Sequence, residues 1–149
     1  MQDMFSDEKA YREAMQKGIP IIYEFYKLSL PKTPGDLLFG KSTVYPGKVG
    51  TEYYMTKGHI HSALDTAEVY YCLRGNGCIL MEDQDGNRDA LFISTGTAVY
   101  VPGKNAHRII NTGSEPLVSF FAFRADAGHD YSNVIQKGYG MLVDEHDGI

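Results

Sequence analysis

Apolar and polar positions divide the chain into a short helical opening and a long succession of strands. Ala10, Tyr11, Ala14 and Met15 recur at helical spacing behind Ser6, Asp7 and Glu8. The pattern predicts a helix capped by Ser6, with acidic residues in its first turn and Gly18 closing it. After Pro20, Ile21-Ile22-Tyr23-Glu24-Phe25-Tyr26 reads as a strand, and Leu30 to Gly35 reads as a loop.

From about Lys41 onward, short β-prone runs alternate with turn chemistry at Tyr45-Pro46-Gly47, Gly75-Asn76-Gly77 and Asp83 to Asn87. The runs are Glu68 to Leu73, Cys78 to Glu82, Ala90 to Ile93, Ala98 to Val101, Arg108 to Asn111 and Leu117 to Phe123. Strands at this spacing, with no strand–helix alternation, predict an all-β sandwich or barrel carrying a short helical accessory segment at its N-terminal end. No composition shift or internal repeat divides the chain, so residues 1–149 are expected to form a single domain.

Composition adds exclusions. A net charge of -5 without a basic patch argues against nucleic acid as a partner. No apolar run approaches a membrane span, and the acidic N-terminus lacks the pattern of a signal peptide, so a soluble, cytoplasmic protein is expected. Cys72 and Cys78 flank a turn, where a disulfide is conceivable, but their spacing is neither that of a zinc ribbon nor that of a redox pair. Reduced thiols suit the expected compartment better.

The candidate chemistry lies in Gly58-His59-Ile60-His61, in Glu68 seven residues later, and in His107. Residues i and i+2 of a strand share a face, so His59 and His61 can grip one ion while Glu68 and His107 arrive from neighbouring strands. Three imidazoles and a carboxylate suit a first-row divalent ion such as iron, nickel, manganese or zinc. Four protein ligands on a six-coordinate ion leave two positions open, which separates a catalytic from a structural site.

His59, His61, Glu68 and Gly75, followed by Gly96, Pro102, His107 and Asn111, resemble the two motifs of the cupin superfamily. Six residues separate His61 from Glu68, where many cupins have three or four, and the glycine of the second motif is displaced to Gly103. Tyr45 to Gly50, TKGHIHSALDTAEVYY, VYVPGKNAHR and ADAGHDY together resemble the cupin-type glucose-6-phosphate isomerases, from about Ile21 to Val143.

That resemblance implies a cupin double-stranded β-helix, a jelly-roll sandwich or barrel. It also implies an enzyme that interconverts glucose 6-phosphate and fructose 6-phosphate in glycolysis and gluconeogenesis. His59, His61, Glu68 and His107 become the ligands of one ion, with Fe2+ expected first. Glu68, His129 and Tyr70 become candidate catalytic residues, and Tyr23, Thr56, Gly58 and Tyr131 candidate substrate contacts.

Lys48, Lys57, Lys104 and Arg108 are further sources of positive charge, although Lys104 stands where relatives can carry an aromatic residue. Glu68 could act as a base only by loosening from the ion, whereas a direct hydride shift needs no such base. Another cupin reaction, such as dioxygenation or decarboxylation, and a sugar-phosphate-binding module without turnover are the rival readings. A homodimer is the expected assembly, with Ile21 to Tyr26 as a plausible exchange strand.

Overall fold

Side chains alternate strictly along Leu117–Arg124, with Leu117, Ser119, Phe121 and Phe123 buried, and this strand becomes the centre of the larger sheet. The computed structural model describes residues 4–18, 20–28, 30–132 and 138–145. Its elements are α1 (Glu8–Lys17), β1 (Tyr23–Lys27), β2 (Leu37–Val44), β3 (Lys48–Val49), β4 (Glu52–Tyr53), β5 (Glu68–Arg74), β6 (Asn76–Glu82), β7 (Arg88–Ser94), β8 (Ala98–Val101), β9 (Ala106–Ile110) and β10 (Leu117–Arg124).

Five antiparallel strands in the order β1-β2-β10-β5-β8 form one sheet, and β7-β6-β9 form a second. In the larger sheet the pairings Phe123 with Glu68 and Phe121 with Tyr70 line up the inward positions of β10 and β5. Val101 and Val99 of β8 extend those two rows. In the smaller sheet Ile79 pairs with Ile109, and Met81 with His107. Val44, Cys72, Ile79, Ile93 and Leu117 are among the most deeply buried of the apolar residues in the core.

Asn111, wholly buried just after β9, ties three segments together. Its amide nitrogen donates to the carbonyls of Val44 and Glu115, and its side-chain oxygen accepts from the Gly113 amide.

The helix differs from expectation at its start. Asp7 is the cap, its carboxylate accepting from the Ala10 amide at 2.8 Å. Ser6 instead donates from both its amide and its hydroxyl to Glu52, which is buried at the start of β4 and draws the helix onto the barrel. Gly18 closes the helix in the left-handed conformation, as the sequence predicts, and Tyr11 is the residue it buries.

The predicted strand at Ile21 to Tyr26 is shifted to Tyr23–Lys27, and Leu37–Val44 is an eight-residue strand where the pattern marks β structure only from Lys41. That strand escapes notice because Gly40 interrupts its apolar run. A side chain there would collide with the Tyr26 carbonyl and the Phe121 ring. Both cysteines are free thiols. Among the described residues no helix is long and apolar enough to cross a membrane.

Candidate metal centre and pocket

His59 and His61 lie on an extended segment too short to count as a regular strand. His59 and His107 exchange a pair of backbone hydrogen bonds at 3.1 and 2.9 Å, and Ile60 and Asp130 exchange another at 3.1 and 2.8 Å. The segment is thereby pinned between β9 on one side and the chain after β10 on the other. Strand alternation turns both imidazoles toward Glu68, the first residue of β5.

One carboxylate oxygen gathers the cluster. Glu68 Oε2 lies 3.5 Å from His59 Nε2, 3.1 Å from His61 Nε2 and 3.0 Å from His107 Nε2. All four candidate ligand atoms fall within 4.8 Å of one another. Glu68, His61 and His107 are buried, while His59 keeps 14% of its side chain exposed, on the pocket side.

The tautomers decide what this cluster can hold. His61 Nδ1 faces the Gly128 carbonyl at 3.1 Å, and His107 Nδ1 faces the Asn105 carbonyl at the same distance. A carbonyl only accepts, so each Nδ1 donates its proton there and Nε2 is the ring atom turned toward Glu68. Three Nε2 atoms and a carboxylate oxygen turned to one centre form the donor set that a cation would hold together. His59 Nε2, also buried, has no hydrogen-bond partner among the described residues.

Burial pulls the His59 pKa down to about 3, and its neighbour His107 adds to this, so His59 is neutral at physiological pH. Burial alone would raise Glu68, but the three imidazoles outweigh it and hold the group well below the usual carboxylate range. A neutral imidazole at His59 and an ionised carboxylate at Glu68 are the protonation states that metal ligation requires. The residues present therefore fit a divalent ion.

A pocket opens over this cluster, and every residue that the sequence singles out for catalysis or substrate binding lines it: Tyr23, Thr56, Gly58, Glu68, Tyr70, His129 and Tyr131. His129 packs edge-on against His59, with ring centroids 4.3 Å apart, and stacks on Tyr131 at 11°. Burial lowers the His129 pKa to about 4. Tyr70 is driven well above the ordinary tyrosine value by burial and by the Glu68 charge, so its hydroxyl stays protonated. Thr56 Oγ1 accepts from the Ile109 amide at 3.0 Å, which leaves its own hydrogen free to donate.

Of the four expected sources of positive charge, only Lys57 lines the pocket, with Nζ 5.3 Å above the Tyr131 ring. Lys48 pairs with Glu145, Lys104 pairs with Asp65 at 3.3 Å, and Arg108 is buried behind the Lys57 carbonyl. The sequence reading missed Lys27 and Phe25, which share a face of β1 with Tyr23 and point into the pocket. The i, i+2, i+4 rule, applied from Tyr23, would have found them. Phe121 and Phe123 supply the apolar wall from β10.

The glucose-6-phosphate isomerase family model matches residues 1–147. The chain is 43% identical over 148 residues to the glucose-6-phosphate isomerases of Thermococcus litoralis and Pyrococcus furiosus, covering 99% of this chain and 78% of each of those. A Sinorhizobium medicae glucose-6-phosphate isomerase is 38% identical over 97% of this chain and 69% of its own length.

Among solved structures, an oxalate oxidase superposes with a TM-score of 0.63 at 13% identity, over 85% of this chain and 63% of that one, a likeness of fold alone. A Bacillus subtilis oxalate decarboxylase mutant superposes at 0.52 with 28% identity, over 63% of this chain and 23% of that one. The architecture is accordingly that of a cupin, and the chain belongs to the cupin-type glucose-6-phosphate isomerase family.

Proposed function

We propose that this site interconverts glucose 6-phosphate and fructose 6-phosphate with one divalent metal ion, Fe2+ first among the candidates. The carrying observation is the convergence of His59, His61, Glu68 and His107 beneath a pocket that also holds two lysines and five hydroxyl groups. These four side chains would hold the ion, which when bound supplies a Lewis acid for the oxygens on C1 and C2 of the open-chain sugar.

The residues around the cluster divide the remaining work. His129 is neutral near pH 7, faces the His59 ring, and is placed to take the proton from one sugar hydroxyl and return it to the other. Tyr70 keeps its hydroxyl hydrogen and donates. Glu68 is enclosed by three imidazole nitrogens and is committed to the cluster, so it is a poor base for a carbon-bound proton. A hydrogen that passes directly between C1 and C2 asks nothing of Glu68, and we favour that route.

Lys27 and Lys57, with the Thr56 hydroxyl, the Gly58 amide and the hydroxyls of Tyr23 and Tyr131, would receive the phosphate. Phe121 and Phe123 exclude water from the wall of the pocket.

The same reading carries a homodimer and a cytoplasmic setting. Edge strand β1 leaves Phe25 and Tyr26 exposed, and the outer face of the large sheet presents Val69, Tyr71, Leu73 and Tyr100, so a second copy has apolar surface to cover. A phosphorylated sugar is charged and stays inside the cell, which sets the compartment of its enzyme.

The deciding experiment is isomerisation of glucose 6-phosphate by the purified protein as isolated, after chelation, and after return of iron, nickel, manganese or zinc. Turnover that disappears with the ion and returns with one of them is expected. No turnover with any ion, in folded and metal-loaded protein, would overturn the reading in favour of another cupin reaction.

A further inference from the structure

Arg108 occupies the opposite face of β9 from His107 and is 5% exposed. Among the described residues no carboxylate lies within ion-pair distance of it, although the charge of buried Glu52 acts on it from further away. Its Nη2 donates to the Lys57 carbonyl at 3.2 Å, its Nη1 lies 2.7 Å from the Met55 sulfur, and its guanidinium carbon sits 3.9 Å above the Tyr139 ring. A buried cation is costly to keep, and an apolar side chain of similar length would fill the same space. What the guanidinium holds is therefore the question.

It holds the back of a turn. Met55, Thr56, Lys57 and Gly58 run directly into His59, and Thr56, Lys57 and Gly58 line the pocket. Gly58 has φ +79, and a Cβ at that position would meet the Tyr139 hydroxyl and, at 3.0 Å, the His107 carbonyl. Tyr139 reaches this spot from a segment laced to the barrel. Gly140 donates to Glu82 at 2.8 Å, Tyr53 to the Val143 carbonyl at 3.4 Å, and Glu145 to the Thr51 carbonyl at 3.0 Å.

We infer that Arg108 and Tyr139 are positioning residues, which fix the Thr56-Lys57-Gly58 turn from behind and thereby set the pocket's affinity for the phosphorylated end of the substrate. Neither lines the pocket. This inference rests on the isomerase reading. The metal cluster does not depend on them in the same way, because His59 and Ile60 have their own paired backbone bonds to His107 and Asp130. Releasing the turn should move the Lys57 ammonium and the Gly58 amide, while Thr56, bonded to Ile109 through its amide and its hydroxyl oxygen, and the four ligand atoms stay in place. Binding and chemistry then respond separately.

The test uses the full chain, metal-loaded, as Arg108→Met, Arg108→Lys and Tyr139→Leu. It measures kcat and KM for glucose 6-phosphate, metal stoichiometry, and hydrogen exchange of the amides from 54 to 60. The expected result is a KM raised about tenfold in Arg108→Met and Tyr139→Leu, with kcat within about threefold of the parent and metal content unchanged. Exchange should quicken at 57–58, and Arg108→Lys, which can still donate to the Lys57 carbonyl, should return KM to within about threefold of the parent.

Parallel loss of kcat and metal would overturn the inference, as would Tyr139→Leu with parental KM and parental exchange at 57–58. If Arg108→Met does not fold, Tyr139→Leu and Arg108→Lys decide. A parent protein that folds and loads metal but does not isomerise sinks the isomerase reading instead, and exchange at 57–58 still tests the turn.

Discussion

Glu68 and His107 are 39 residues apart in the chain, yet Oε2 of one lies 3.0 Å from Nε2 of the other. The contact is made by two sheets facing each other, since Glu68 opens β5 and His107 sits in β9. His107 holds its ring by facing the Asn105 carbonyl through Nδ1, so Nε2 is the nitrogen that meets Glu68. Each of the expectations below follows from a contact of this kind.

Replacing Glu68 by Gln, or His61 by Ala, removes one donor from a cluster built around a single point. Both variants should lose bound metal and at least about a thousandfold in turnover, while circular dichroism stays that of the parent, because the core strands do not depend on either side chain. Full turnover by metal-free protein would contradict this.

Chelation should lower the melting temperature as well as the activity. An ion that binds the folded chain alone stabilises it by about 2.7 kcal/mol at a hundred times its dissociation constant. Calorimetry with and without chelator, at fixed protein concentration, measures the shift. An unchanged midpoint would mean that the cluster does not load.

Lys27→Met removes a charge from the pocket rim without touching the cluster. We expect KM for glucose 6-phosphate to rise about tenfold with kcat nearly unchanged, equivalent to about 1.4 kcal/mol of uniform binding. Added salt should raise KM in the parent more than in the variant, because screening acts on the charge the variant lacks.

Isomerisation in deuterium oxide separates the two routes for the carbon-bound hydrogen. Direct transfer from C2 to C1 leaves the product free of solvent deuterium on carbon. Substantial deuterium at that carbon would give a base, with Glu68 foremost, the part denied to it here.

Asn111→Ala should destabilise the fold by about 2–3 kcal/mol, since it strands the buried Val44 carbonyl and removes the partner of the Glu115 carbonyl and the Gly113 amide. Activity per folded molecule should survive. Chemical denaturation measures the first effect and kinetics below the transition the second.

The residues that meet at the centre were legible because their spacing is local chemistry: an i, i+2 histidine pair, then a glutamate opening an apolar run. Strand Ala98–Val101 was legible to the residue, since Gly96 and Pro102 bracket it. Leu37–Val44 was not, because Gly40 is there for the neighbouring Tyr26 and Phe121, a reason that exists only after the sheet has formed. The helix cap moved from Ser6 to Asp7 for a similar cause, as Glu52, far along the chain, draws the Ser6 hydroxyl away. Lys27 and Arg108 show the same limit among the cations. Which lysine faces a ligand, and which arginine sits behind a turn, is decided by pairings between strands.

Those pairings also fix an order of events. Leu37 is zipped to Arg124, and His59 sits between β9 and Asp130, so the central oxygen and its three imidazoles have no shared location until β10 and the chain just beyond it have emerged and docked. A nascent chain that stops short of that point has scattered histidines and no chelating centre. An ion held by these four side chains would therefore be taken up after folding, through the partly open side at His59, from whatever ions surround the finished protein at that time. Which ion it then carried would reflect the supply it meets after synthesis as well as the donor atoms it offers.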